Sequence, residues 1–285
     1  MSKVLNDLLD LLELEEIELG LYRGQSQDLG LPAVFGGQVM GQALSAAQLT
    51  LEPTRKVHSF HSYFLRPGDA NKPIVYEVEN IRDGKSFSTR RVQAIQYGKP
   101  IFYMTASFQD EEQGFEHQAD MPEVSGPEAL TPDIAFYLEN AHLIPEKVRS
   151  KFTCDKPIEF RHLDFQNPFM PKVAEPKKLL WLKANGQMPD CLQIHKYLLA
   201  YASDFNFITT ALLPHKASYV QPNLQVATID HAMWFHRDFR VDDWLLYAID
   251  SPSASGARGF VRGQFFNRDG VLVASTTQEG VIRQR

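Results

Sequence analysis

Long apolar runs, cysteines and excess positive charge are all scarce in this chain, and each scarcity removes a class of protein. No segment approaches the roughly 20 apolar residues that a membrane span requires. The N-terminal leucine pairs Leu8-Leu9 and Leu11-Leu12 are interrupted by Asp7, Asp10 and Glu13, a pattern that predicts a short amphipathic helix and not a signal peptide. The last residues, Arg283-Gln284-Arg285, match no peroxisomal or endoplasmic-reticulum address. Two cysteines, Cys154 and Cys191, cannot build a disulfide framework and form no C-x-x-C pair. Each is expected to be a small buried or half-buried hydrophobe and not a nucleophile. A net charge of −6 argues against nucleic acid as a partner, because such binders carry a basic face. The expectation is a soluble cytoplasmic protein with neither a nucleic-acid nor a membrane partner.

The missing motifs narrow the chemistry further. No G-x-S-x-G elbow is present, which argues against a serine esterase of the α/β-hydrolase kind. No G-x-x-x-x-G-K-[ST] loop occurs, and no G-x-G-x-x-G opens a βα unit. The nine histidines never fall at H-E-x-x-H or a similar ligand spacing. If the chain is an enzyme, it is expected to work without metal, cofactor or covalent intermediate.

What the sequence does have is internal similarity. Phe35-Gly36-Gly37-Gln38 leads into a helical pattern, followed by strand-like stretches at His58–Leu65, Ser86–Gln93 and, after Gly98, Ile101–Phe108. A helical pattern around Asp204 is followed by Thr228–Phe235, Ser255–Val261 and, after Gly270, Val271–Ser275. Corresponding pieces stand about 170 residues apart in the same order. Strands succeed one another without intervening helices, so the sheets are expected to be antiparallel, an α+β design with one long helix per sheet. Between the halves, Met121-Pro122, Gly126-Pro127 and Thr131-Pro132 punctuate a connector, within which Pro132 predicts the start of a helix over 133–143. The resulting division is an N-terminal domain over 1–112, a connector over 113–153 and a C-terminal domain over 154–285.

One carboxylate breaks the apolar patterning. A helix is expected from about Cys191 to Leu212 with Asp190 as its N-cap, and Ile194, Tyr197, Leu198, Tyr201, Phe205 and Ile208 trace its buried stripe. Asp204 stands on or beside that stripe, where a carboxylate is costly unless hydrogen-bonded or paired. Two readings are open: a buried Asp that caps a neighbouring element or meets an Arg, and a general base with a tuned pKa. Thr228 and Gln278 are unremarkable strand residues on composition. Asp230 and His231, adjacent in a strand, point to opposite faces and cannot form a dyad, so His231 reads as a core or interface histidine. In the repeat alignment Gln38 falls at the place of Asp204 and His58 at that of Thr228, which suggests one working site and one diverged copy.

The strings Val34-Phe35-Gly36-Gly37-Gln38, His58-Ser59-Phe60-His61-Ser62-Tyr63-Phe64-Leu65-Arg66-Pro67-Gly68, Ile229-Asp230-His231-Ala232-Met233-Trp234-Phe235-His236-Arg237 and Gly270-Val271-Leu272-Val273-Ala274-Ser275-Thr276-Thr277-Gln278 closely resemble acyl-CoA thioesterase II, the TesB type, and the likeness runs essentially end to end. The resemblance implies a double hotdog fold and hydrolysis of medium and long fatty acyl-CoA with broad preference. It also implies assembly into homo-oligomers, tetramers among them. It assigns the catalytic roles to an Asp on the second helix, a Thr opening the next strand and a Gln in the last strand, here Asp204, Thr228 and Gln278. The three would hold one water beside the thioester carbonyl, with Asp204 taking its proton. Arg66, Arg90, Arg91, Arg258 and Arg262 are candidates to hold the CoA nucleotide. Two rival functions on the same fold are a non-catalytic acyl-CoA-binding module and a hydratase or dehydratase using His58 or His61 as base.

Overall fold

The computed structural model describes residues 2–285. The interrupted leucines form helix α1 (Lys3–Leu12), which buries Leu5, Leu8, Leu11 and Leu12, each worth roughly 1.5–3 kcal/mol. After it, the first half builds β1 (Glu15–Glu18), β2 (Leu21–Gly24), α2 (Gly36–Leu49), β3 (Lys56–Phe64), β4 (Ile74–Asp83), β5 (Phe87–Gln96) and β6 (Lys99–Gln109). Residues 110–126 contain no helix or strand; α3 (Asp133–Glu139) and α4 (Glu146–Thr153) then complete the passage between the halves. The second half repeats the plan with β7 (Ile158–His162), β8 (Lys177–Ala184), α5 (Leu192–Ser203), β9 (Leu224–Phe235), β10 (Leu245–Ser255), β11 (Arg258–Phe266) and β12 (Leu272–Gln284).

Among the described residues, twelve strands join one antiparallel sheet in the order β1-β2-β4-β5-β6-β3-β9-β12-β11-β10-β8-β7. The order reads the same from either end when the halves are matched, with the seam at β3 and β9, paired from Ser59–Trp234 to Tyr63–Asp230. Alternation explains the layering: along β5, Arg90, Val92 and Ala94 are buried, whereas Phe87 and Arg91 are exposed. The buried face of the first half covers α2, that of the second half packs on the 3-10 stretch Ile208–His215, and α2 and α5 pack against each other. Glycine makes that approach possible. A Cβ on Gly37 would lie 2.2 Å from the Tyr201 carbonyl oxygen, and one on Gly41 would lie 3.2 Å from that of Tyr197.

The helix expected over 133–143 ends at Glu139 and continues as a 3-10 turn, the strand expected over 255–261 is split by the turn at Gly256-Ala257, and four further departures follow. First, α5 ends at Ser203 instead of Leu212, leaving Asp204 as its C-cap. Asn206 turns left-handed (φ 63°), and its carbonyl accepts from Lys178 Nζ, Thr209 Oγ1 and Thr210 Oγ1 at 3.2, 3.0 and 3.1 Å. These bonds compete with the helical ladder, and the chain resumes as a 3-10 stretch, Ile208–His215. Second, Asp190 does not cap α5. It pairs with Arg240 at 2.9 Å, and Cys191 holds the cap position. Third, Cys154 and Cys191 are both exposed, because each stands at a helix boundary outside the packed faces. The fourth departure concerns which parts of the two halves correspond. Matched at their C-caps, α2 and α5 set Asp204 against Thr50 and not against Gln38 near the start of α2. Both β3 and β9 carry a bulge, at His58 and at Ile229. Counting from the bulges sets Val57 at the place of Thr228 and Ala106 at that of Gln278.

Candidate active site

Helix α2 begins without a side-chain cap, since Phe35 occupies the cap position. A helix start leaves backbone N–H groups unsatisfied, and one of these finds its partner in the other half of the molecule. The Gly37 N–H donates to Asp204 Oδ2 at 3.0 Å. The helix dipole there favours an anion. The absence of a Cβ on Gly36 matters as much, for one would lie 2.7 Å from the same carboxylate oxygen. A carboxylate at the end of α5 thus caps the beginning of α2.

The second carboxylate oxygen belongs to the sheet. Gln278 Nε2 on β12 donates to Asp204 Oδ1 at 2.7 Å, and the Thr228 hydroxyl on β9 donates to it at 3.4 Å. Gln278 Nε2 also stands 3.0 Å from Thr228 Oγ1. The bulge at Ile229 is what brings these groups together. Gly280 pairs with Thr228 and Glu279 with Asp230, so Thr228 and His231, three residues apart, both turn toward Gln278. Without the extra residue their odd spacing would put them on opposite faces.

Burial raises the Asp204 pKa above the ordinary carboxylate value, and the hydrogen bonds from Gln278, Gly37 and Thr228 oppose that rise without cancelling it. Among the described residues, no arginine or lysine forms an ion pair with Asp204. The three donors occupy three of roughly four lone-pair directions on the carboxylate, which leaves room for one more donor. Asp204 also lines a cavity of about 410 Å³, within the range typical of small-molecule sites. Aromatic side chains form its inner wall. The Phe35 ring is 4.2 Å from that of Phe205 and 5.2 Å from that of Tyr201, and Phe160 is 5.5 Å from Phe205. Ile134 and Tyr137 of α3 and Phe152 of α4 add the connector's contribution to the lining, which carries charge of both signs, Lys151 and Lys156 beside Asp133, Asp155 and Glu159.

Asp204, Thr228 and Gln278 therefore come together, though they were far apart in the sequence, and of the three only Asp204 lines the cavity. The two histidines considered as bases stand apart from it. His58 Nε2 is 2.8 Å from Ser107 Oγ, and His61 is exposed beside Trp234. Arg90 is buried and bonded to Thr50 and Asp83, while Arg91, Arg258 and Arg262 pair with Glu79, Glu279 and Asp250. Arg66 donates to the Pro100 carbonyl, and none of the five arginines lines the cavity. The sequence reading missed Gly37 as a donor to the site. Its signal was the Gly36-Gly37 pair at a helix start, which permits close backbone approach. In the first half the corresponding places hold Thr50, Val57 and Ala106, with neither carboxylate nor amide.

Comparison with known proteins finds relatives along the whole chain. Residues 147–281 match the family model described as acyl-CoA thioesterase, and residues 24–109 match that of the acyl-CoA thioesterase N-terminal domain. The chain is 47% identical to "Acyl-CoA thioesterase 2" of Haemophilus influenzae, over 99% of both chains. It is 40% identical to human "Acyl-coenzyme A thioesterase 8", over 95% of this chain and 87% of the human one. Among solved structures, acyl-CoA thioesterase II TesB2 of Mycobacterium marinum superimposes with a TM-score of 0.80 at 38% identity, covering 98% of each chain. With its two matching halves, paired central helices and single antiparallel sheet, this chain belongs to the acyl-CoA thioesterase II (TesB-type) family of double hotdog thioester hydrolases.

Proposed function

We propose that the chain hydrolyses medium- and long-chain fatty acyl-CoA, with broad preference for the acyl group, by general-base catalysis from Asp204. One observation carries this reading: a buried carboxylate of raised pKa, held by three donors and unpaired with any cation among the described residues, stands at the wall of an aromatic-lined cavity. A water donating to the remaining lone pair of Asp204 would be aimed at a thioester carbonyl lying along that wall. Asp204 accepts its proton as oxygen attacks the carbonyl carbon, and the CoA thiolate departs as the tetrahedral intermediate collapses. Thr228 and Gln278 keep the carboxylate from rotating, which turns positioning into rate. The dipole of α2, whose N-terminus lies beside Asp204, supports the developing oxyanion. The aromatic wall accepts an alkyl chain without demanding one length, consistent with a broad preference.

Release of free thiol from decanoyl-CoA and palmitoyl-CoA tests the assignment. Asp204→Asn preserves shape and is expected to lower kcat by about 10²–10⁴-fold with substrate binding retained. A folded variant keeping more than half of the wild-type kcat would overturn the general-base role.

A further inference from the structure

His231 is buried to 0% exposure and has no place in the mechanism above. Phe60 and Phe207 flank its ring at 6.1 and 5.6 Å. All its polar contacts are defined. Nε2 stands 2.8 Å from Thr276 Oγ1 and 3.1 Å from Ser203 Oγ, and Nδ1 stands 3.3 Å from Gln278 Nε2.

Counting protons settles the tautomer. The Thr276 hydroxyl donates to the Ala232 carbonyl at 2.9 Å, and the Ser203 hydroxyl donates to the Ala200 carbonyl at 2.8 Å. Each hydroxyl has a single proton, so both are acceptors toward the imidazole, and Nε2 must carry the ring proton. Burial pushes the imidazole pKa down to about 3, which keeps the ring neutral near neutral pH. Nδ1 is then a bare lone pair aimed at Gln278. It accepts from the amide N–H2 end, sharing with Thr228 Oγ1 at 3.0 Å the proton that does not go to Asp204, and repels the carbonyl end.

We infer that His231 is a positioning residue, a neutral acceptor with a locked tautomer that keeps the N–H2 end of Gln278 turned toward Asp204 throughout turnover. This rests on the proposed general-base reading, and it answers a problem that reading creates. Before reaction, ionised Asp204 itself selects the N–H2 end of Gln278. Once Asp204 has taken the proton from water on Oδ2, the charge that selected the N–H2 end is gone, and the Thr228 hydroxyl, 3.0 Å from Gln278 Nε2, could donate to Oε1 of a flipped amide. Oε1 is buried and has no hydrogen-bond partner among the described residues, so no contact of its own resists the flip. Nδ1 of His231 does resist it, because its demand for a donor does not change when Asp204 is protonated. The first half offers a parallel: where Ala106 stands in place of Gln278, Phe60 stands in place of His231. The acceptor and the amide are absent together.

The test compares His231→Leu, His231→Asn, Gln278→Ala and the double variant His231→Leu/Gln278→Ala by thiol release from decanoyl-CoA. Thermal melts confirm folding. His231→Leu removes the acceptor and is expected to lower kcat on the order of tenfold, with KM within about threefold. His231→Asn restores an acceptor oxygen near the Nδ1 position and should recover most of that loss. In the Gln278→Ala background, His231→Leu should cost less than about twofold, since there is no amide left to orient. If His231→Leu does not fold, His231→Phe, which copies the first half, carries the same expectation. The inference is overturned if the His231 variants turn over like wild type, if Asn gives no recovery, or if the loss is the same in both backgrounds. Gln278→Ala within twofold of wild type would remove the general-base arrangement as well as His231's role in it. A crippled Gln278→Ala beside an unimpaired His231→Leu would remove only the role of His231.

Discussion

Gly37→Ala is a one-methyl change that reaches the site from the opposite half of the molecule. The added Cβ would lie 2.2 Å from the Tyr201 carbonyl oxygen and 2.5 Å from Phe35 Cε1. The first of these is backbone and cannot swing away. Restoring an ordinary contact requires α2 to withdraw from α5 by about 1 Å, and strain of this kind typically costs about 1–3 kcal/mol of stability. The same withdrawal stretches the 3.0 Å bond from the Gly37 N–H to Asp204 Oδ2 beyond hydrogen-bonding range. A bond to a charged group contributes about 1.5–3 kcal/mol, and a misplacement of about 1 Å can lower a rate by about 10². The expected loss in kcat is therefore about 10–100-fold, measured by thiol release from decanoyl-CoA on protein shown folded by circular dichroism. Because the Gly37 bond holds the Asp204 pKa down, the acid limb of the kcat profile should also move upward. Gly41→Ala is the control on the same helix. Its Cβ meets Leu12 Cδ2 at 2.8 Å and the Tyr197 carbonyl at 3.2 Å, well along α2 from Asp204. It should lower the melting temperature and leave kcat within about twofold. A folded Gly37→Ala enzyme within about threefold of wild type, or a Gly41→Ala enzyme equally damaged in turnover, would refute the reasoning.

The other expectations concern pH, the first half and the thiols. As pH falls, kcat should drop through an apparent pKa above the ordinary aspartate value of 3.8, since burial raises the Asp204 pKa; a limb at or below that value would contradict the site. The linked stability has the opposite sign from a salt-bridged Asp. The folded state holds the proton more tightly than the unfolded one, so ionising Asp204 costs stability as pH rises from the unfolded to the folded pKa. Melting temperatures of wild type and Asp204→Asn across that interval should accordingly shift in favour of wild type as pH is lowered. His58→Ala, on the bulge of β3 and bonded to Ser107, should retain kcat within about tenfold, a loss of no more than about 1.4 kcal/mol; damage equal to that of Asp204→Asn would give the first half a part in the chemistry. Cys154→Ala and Cys191→Ala, both at exposed positions, should leave turnover unchanged and stability within about 0.5 kcal/mol by thermal melt.

Patterning within short windows carried a large part of this structure. The spacing of Leu5, Leu8, Leu11 and Leu12 determined α1, and the two-residue period of Arg90, Val92 and Ala94 determined which face of β5 is buried. The repeated order of helix and strands determined that two similar halves exist, and the apolar stripe around Asp204 marked a carboxylate in need of partners. These features are local: they depend on side chains a few residues apart on one helix or strand, where the period alone decides the face.

Tertiary structure alone decided who those partners are. Gly37 reaches Asp204 across 167 positions of chain, and Gln278 across 74. Nothing in either local pattern encodes the meeting; it follows from the docking of α2 on α5 and from the order β3-β9-β12 at the seam. The bulge at Ile229 was equally hidden, because one extra residue in a strand leaves the composition unchanged while turning Thr228 and His231 to the same side. The end of α5 at Ser203 depended on Lys178 and the threonines gathering around the Asn206 carbonyl, and Lys178 is 28 positions away. Hydrogen bonds and close packing select among conformations that local periodicity leaves nearly equal, and their partners become neighbours only once the chain has folded.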